Sequence, residues 1–193
     1  MNHKMQSPIT IVAGLPRSGT SLMMQMLDAG GMPVLTDQIR QPDDDNPRGY
    51  YEFEAVKTVK EEPDWLEQAP GHAVKMVYRL LYDLPAGYAY RVVFTRRKLE
   101  EVVASQETML QRNGKGASAV DEAQLVDIYR RQLQQFDAWI ESRPNFSILY
   151  VDHHEVLADS ERVAHELNQF LGGQLNEEAM IRVPDRSLHR QKR

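Results

Sequence analysis

Short apolar runs alternate with amphipathic stretches along most of this chain. Ile9–Ala13 is an apolar, β-branched run bounded by Gly14, which predicts a buried strand. A tight turn leads from it into the helical run Leu22–Leu27, stopped by Gly30 and Gly31. A short strand is expected at Met32–Leu35, followed by the polar, turn-rich segment Asp37–Tyr50. Phe53, Val56 and Val59 recur every third residue with charges between them, which predicts a helix over Tyr51–Glu62 ending at Pro63. A second short helix holds Trp65 and Leu66. Ala73–Tyr78 and Arg91–Thr95 read as strands on either side of the turn Leu84–Gly87.

The second half is more helical. Leu99–Gln111 is expected as a helix with Val102, Val103, Thr108, Met109 and Leu110 inward. Asn113–Gly116 is a loop, and Ser118 with Asp121 forms a capping-box pattern before a long helix over Val120–Ser142. Leu125, Ile128, Tyr129, Leu133, Phe136, Trp139 and Ile140 keep helical spacing there and read as core. Pro144 separates it from the strand Phe146–Val151, and a last amphipathic helix, Ser160–Leu171, buries Val163, Leu167, Phe170 and Leu171 before Gly172-Gly173. The order β, α, β, α, β, β, α, α, β, α predicts an α/β fold, a three-layer α/β/α arrangement around a largely parallel central sheet.

Composition narrows the function. A chain of 193 residues fits a single domain spanning 1–193, ending in a basic tail of about 184–193. The net charge of −5 argues against a general nucleic-acid binder. With no cysteine there is no disulfide and no thiol nucleophile. The first eight residues lack the apolar segment of a secretory signal, and no later run approaches a membrane span; a cytoplasmic protein is the expectation.

The chemistry starts where the first strand ends. Gly14-Leu15-Pro16-Arg17-Ser18-Gly19-Thr20-Ser21 is a glycine-bounded turn opening a helix. Such a junction gathers unpaired backbone N–H groups at the positive end of a helix dipole and binds phosphate-like anions. The two glycines have the spacing of a phosphate-binding P-loop and Ser21 the place of its magnesium-binding hydroxyl, so the fold expected is P-loop NTPase-like. Thr20, however, replaces the P-loop lysine, and the only cation in the loop is Arg17. A glycine-rich turn without a ligand is the plainer alternative; an arginine set among three hydroxyls argues against it.

A second cationic cluster, Arg96-Arg97-Lys98, follows the strand Arg91–Thr95, and Ser105 lies eight residues after Arg97. If both strands are parallel, the two clusters open at one sheet edge, suiting a ligand with two separate anionic groups. The consecutive acids Asp43-Asp44-Asp45 point in different directions and read as a flexible acidic loop rather than a metal site.

These motifs resemble those of the sulfotransferases, and of small bacterial members in particular. The loop Pro16-Arg17-Ser18-Gly19-Thr20-Ser21 is similar to their P-[KR]-S-G-T-[ST] core, and Arg97 with Ser105 to their R-x7-S motif. Asn46-Pro47-Arg48-Gly49-Tyr50-Tyr51-Glu52 resembles a loop of bacterial members, and Leu149-Tyr150-Val151 with Phe170-Leu171-Gly172 resembles the end of the domain. The resemblance implies a donor, 3′-phosphoadenosine 5′-phosphosulfate (PAPS), and a hydroxyl or amine acceptor on a small molecule or carbohydrate. Pro16, Arg17, Ser18, Gly19, Thr20 and Ser21 would cradle the phosphosulfate, with Thr20, Ser21 and the loop N–H groups on the 5′-phosphate. Arg97 and Ser105 would take the 3′-phosphate, and Arg17 would stabilise charge on the bridging oxygen. No metal is required.

The pattern breaks where cytosolic members carry a K-x-H base: the matching stretch is Lys75-Met76-Val77, without a histidine. Glu52, with Glu54 behind it, is the candidate replacement, against the reading of both as surface charges; His72 is expected at the opposite end of the strand. The adenine-gripping G-x-x-G-D-W-K segment of cytosolic members is absent, and the stretch Arg182–Arg190 is expected to supply a basic contact in its place. Two alternatives stand beside this reading: a P-loop nucleotide or small-molecule kinase, with Asp152 as its only Walker B candidate, and a non-catalytic nucleotide-binding protein. The acceptor loops are expected at Thr36–Tyr51, Arg79–Tyr90 and Gln111–Ser118.

Overall fold

The computed structural model describes residues 7–37, 39–41, 46, 49–112, 114 and 120–185. Five parallel strands form one sheet in the order β2-β3-β1-β4-β5. They are β1 (Ile9–Gly14), β2 (Val34–Leu35), β3 (Ala73–Val77), β4 (Tyr90–Arg96) and β5 (Phe146–Asp152). The helices are α1 (Thr20–Ala29), α2 (Leu99–Arg112), α3 (Glu122–Glu141), α4 (His153–Ala158), α5 (Ser160–Leu171) and α6 (Glu177–Ile181). The expected three-layer α/β/α architecture, P-loop NTPase-like, is therefore the observed one.

The apolar strand runs are explained by burial on both faces. On β1, Ile9, Ile11 and Ala13 join one core with Phe94, Val102 and Phe136, while Val12 joins the other with Met23, Leu27, Val93 and Leu167. Phe136 of α3 has no exposed surface and stacks on Phe94 at 4.8 Å; truncating such a ring costs about 3–5 kcal/mol. Pairing aligns Gly14 with Val77 on one side and Thr95 on the other. The ends of β3, β1 and β4 thus meet at one edge, the one from which the Gly14–Ser21 loop leaves.

Several local expectations need correction. Tyr51–Glu62 is no α-helix; only Glu54–Thr58 turns, as a 3-10 helix. The three-residue recurrence of Phe53, Val56 and Val59 is the period of that tighter helix. Residues ahead of it are tied to the segment after β2: Asp37 donates its N–H to Glu52 O, and its carboxylate accepts from Glu54 N. In α3, Ile128 is 38% exposed, while Val126, outside the expected stripe, is buried along with Phe136 and Ile140. Asp121 caps α3 by accepting from Ala123 N, while its proposed partner Ser118 lies outside the described residues. So do Asp43–Asp45, Pro47, Arg48 and the tail 186–193. Helices α4 and α6 were not expected; they are short and capped by Asp152 and Asn176. Among the described residues, no helix is long and apolar enough to cross a membrane.

Candidate active site

The loop is built by hydroxyl and glycine geometry. Ser18, 1% exposed, donates its hydroxyl to Leu15 O at 2.7 Å and lies 2.7 Å from Thr95 Oγ1. A Cβ on Gly14 would stand 2.5 Å from both Ser18 Oγ and Thr95 Oγ1, so only glycine fits this close approach. Ser18 is thus committed to the loop's own fold. Arg17 takes a left-handed conformation (φ 74°) and Gly19 follows with φ 105°. Gly19 is the N-cap of α1 and brings no side chain to cap the helix. The first turn of α1 begins with Thr20 and Ser21 and contains no acid, so its positive end keeps its charge for a ligand.

Helix α2 is fastened to this loop. Arg17 Nε donates to Ser105 Oγ at 3.0 Å, Arg97 Nη1 donates to Arg17 O at 3.3 Å, and Gln106 Nε2 donates to Pro16 O at 2.9 Å. The two sequence-predicted anion sites are therefore one continuous constellation. Arg97 also donates Nε to Glu101 Oε2 at 2.8 Å, and Glu101, with no exposed surface, takes His154 Nε2 on its other oxygen at 2.9 Å.

On the other side, β3 supplies a residue that sequence reasoning missed. Lys75 alternates with the core residues Val74 and Met76 and so projects from the α1 face. Its side chain, 13% exposed, donates to Tyr50 O and ends 3.5 Å from Ser21 Oγ. Burial pushes the Lys75 ammonium down to about 8, against the opposing pull of Glu52 at 3.8 Å. The signal was present: a lone lysine inside an apolar strand.

Glu52 lines the cavity, with Oε1 3.0 Å from Arg40 Nη1, while Arg40 stacks on the Tyr50 ring at 3.5 Å. Glu54 pairs with Lys57 at 2.6 Å instead. The cavity, about 450 Å³, is lined by loop residues, Arg97, Lys75 and Glu52, and by apolar Phe53, Val56, Val77, Leu80 and Met109. Val77 stands where the K-x-H histidine would be, 43% exposed beside Gly14. His72 precedes the opposite end of β3, as expected. Asp152 lies on β5, separated from β1 by β4, and its carboxylate caps α4.

No protein-family model matches the sequence, and neither does any curated protein. Solved structures do resemble the fold. Sulfotransferase STF1 from Mycobacterium tuberculosis H37Rv superposes with a TM-score of 0.62 at 20% identity, over 92% of this chain and 71% of that one. Mouse sulfotransferase SULT7A1, complexed with PAP, gives 0.58 at 12% identity, over 91% of this chain and 63% of that one. The sulfotransferase domain of the olefin synthase from Synechococcus PCC 7002 gives 0.55 at 14% identity, over 98% of this chain and 82% of that one. Five parallel strands, a P-loop without its lysine and these neighbours together identify the chain as a protein of the sulfotransferase fold.

Proposed function

We propose that this chain is a sulfotransferase that moves a sulfuryl group from PAPS to a hydroxyl or amine of a small-molecule or carbohydrate acceptor. The observation that carries the reading is the joining of Arg97 and Ser105 to the Gly14–Ser21 loop through Arg17. Two anion-binding elements side by side suit a nucleotide with a 5′ and a 3′ anion. The 5′-phosphosulfate belongs at the N-terminus of α1, against Thr20, Ser21 and the loop N–H groups. The 3′-phosphate belongs to Arg97 and Ser105. The shape of the loop comes from Gly14, Pro16, Ser18 and Gly19.

The acceptor oxygen or nitrogen attacks sulfur, the bond from sulfur to the bridging oxygen breaks, and adenosine 3′,5′-bisphosphate leaves. Charge grows on the bridging oxygen, where the guanidinium of Arg17 stabilises it. The acceptor's proton goes to a base, for which Glu52 is the candidate in the cavity. The ammonium of Lys75 beside Ser21 supplies positive charge from within the fold.

Val77 in the histidine position favours a second reading, a nucleotide-binding protein without turnover. One experiment separates the readings. Adenosine 3′,5′-bisphosphate in EDTA raises the melting temperature under both, whereas ATP with magnesium raises it for a P-loop kinase. Turnover of sulfur-labelled PAPS against hydroxyl and amine acceptors then marks the enzyme, and Glu52→Gln lowers kcat while leaving bisphosphate affinity in place. A shift with ATP–magnesium alone refutes the proposal.

A further inference from the structure

We infer that the acceptor is an apolar alcohol or amine with one reacting group, and not a carbohydrate; the inference rests on the sulfuryl-transfer reading. Two short turns carry it. Phe53 precedes the 3-10 helix Glu54–Thr58, and Val77 precedes a second one, Tyr78–Asp83. In a 3-10 helix, side chains three residues apart eclipse one another. Phe53 therefore shares a face with Val56, and Val77 with Leu80, and all four line the cavity. Met109, near the end of α2, joins them. The Phe53 ring meets Trp65 edge to face at 5.7 Å, which holds it in place as a wall.

Val77 stands nearest the donor. Strand side chains alternate, so it lies on the Lys75 side of β3, two residues closer to the strand end, and it pairs with Gly14 of the donor loop. It is 43% exposed; of the large apolar side chains exposed among the described residues, it is the one that lines this cavity. An apolar ligand that covers such a group removes apolar surface from water on both partners. A sugar hydroxyl set against it loses its water and finds no partner, which costs affinity. Polar side chains that share the lining are engaged: Arg40 with Glu52 and the Tyr50 ring, Asn46 with Gly49 O at 2.6 Å, and Lys57 with Glu54 at 2.6 Å. The cavity thus offers charge at the donor loop and at Glu52, where one reacting group is needed, and apolar surface for the body of the acceptor. That is the usual division of a small-molecule pocket, with few polar groups to orient the ligand and apolar walls to hold it.

The test uses the protein saturated with adenosine 3′,5′-bisphosphate and titrated by calorimetry with 1-butanol, 1-hexanol, 1-octanol, glucose and trehalose. Along the alcohol series affinity is expected to rise about fourfold for each methylene, the gain of burying one such group, until the cavity is full. Both sugars are expected to bind more weakly than octanol. Val77→Asn is expected to weaken octanol about three- to tenfold, while the bisphosphate binds as in wild type. Met109→Gln, on a different element, is expected to act in the same way, and it decides the matter if Val77→Asn also loses the bisphosphate. Labelled sulfur is expected to pass from PAPS to octanol. Affinity independent of chain length, a sugar that binds more tightly than octanol, or octanol affinity untouched by both substitutions overturns the acceptor class and leaves the donor site standing. Octanol bound without transfer of the label, or wild type that fails to bind the bisphosphate, overturns the sulfuryl-transfer reading, and this inference with it.

Discussion

Replacing Lys75 with methionine is expected to make the protein more stable and, under the proposed function, worse at holding the donor nucleotide. The ammonium is buried between β3 and α1, and burial lowers its pKa from 10.5 to about 8. At about 1.4 kcal/mol for each tenfold change in proton affinity, the folded state carries a penalty of about 3 kcal/mol for the charged form. Methionine removes it and keeps the length of the chain in place. The lost hydrogen bond to Tyr50 O costs about 1.5 kcal/mol. The net gain is then about 1–2 kcal/mol, or roughly 3–6 °C in melting temperature for a chain of this size. At pH 7 the lysine is charged in both folded and unfolded chains, so the full penalty applies. Between about pH 8 and 10.5 the folded chain has released the proton and the unfolded chain still holds it, so wild-type stability rises with pH through that window. The melting temperatures of wild type and Lys75→Met should therefore converge between pH 7 and pH 9.5.

Binding should run the other way. If the ammonium beside Ser21 meets the 5′-phosphate, its loss costs about 1.5–3 kcal/mol, ten- to a hundredfold in affinity for adenosine 3′,5′-bisphosphate. Wild-type affinity should hold steady up to about pH 8 and fall above it, because the free site must then take up a proton to bind. The variant should lack that fall. A Lys75→Met protein that melts below wild type by the same margin at both pH values refutes the burial argument, and unchanged affinity refutes the donor contact.

Two further substitutions probe the rest of the constellation. Arg97→Ala removes the proposed charged partner of the 3′-phosphate and should weaken the bisphosphate about ten- to a hundredfold by calorimetry, with little effect on adenosine 5′-phosphosulfate. Gly14→Ala drives a methyl group against Ser18 Oγ and Thr95 Oγ1 and should cost about 1–3 kcal/mol, read as a lower melting temperature.

The framework was legible in the sequence because strands buried on two faces are written as continuous apolar runs, and five of them were found within a few residues of their ends. The failures have physical causes. Phe53, Val56 and Val59 recur every third residue, which is the period of a 3-10 helix and only near that of an α-helix, and the turn is held by Asp37, a contact across the chain. Helices α4 and α6 are too short to show a periodicity. In the site, the loop residues were readable because backbone geometry demands glycine and hydroxyls there. Lys75 carried a signal, a lone lysine in an apolar strand, but Glu101 and His154 did not, because their meaning depends on which helices are neighbours.

That dependence also bears on what the site selects. Among the described residues, cations reach the loop by different routes: Arg17 from within it, Lys75 from β3 and Arg97 from just beyond β4. Two of them stand beside carboxylates, Lys75 near Glu52 and Arg97 against Glu101. Such pairing keeps buried charges compensated, since an unpaired buried charge is costly. It also means that a single small anion meets cations already partly neutralised, on either side of the loop. A ligand with two anionic groups at a fixed separation engages both cations and the helix N-terminus at once, and the ordering cost of one molecule is set against all three gains. The acids beside the cations therefore do more than balance charge: they raise the threshold for simple phosphate, which is what the proposed function asks of a site meant for a nucleotide with both a 5′ and a 3′ anion.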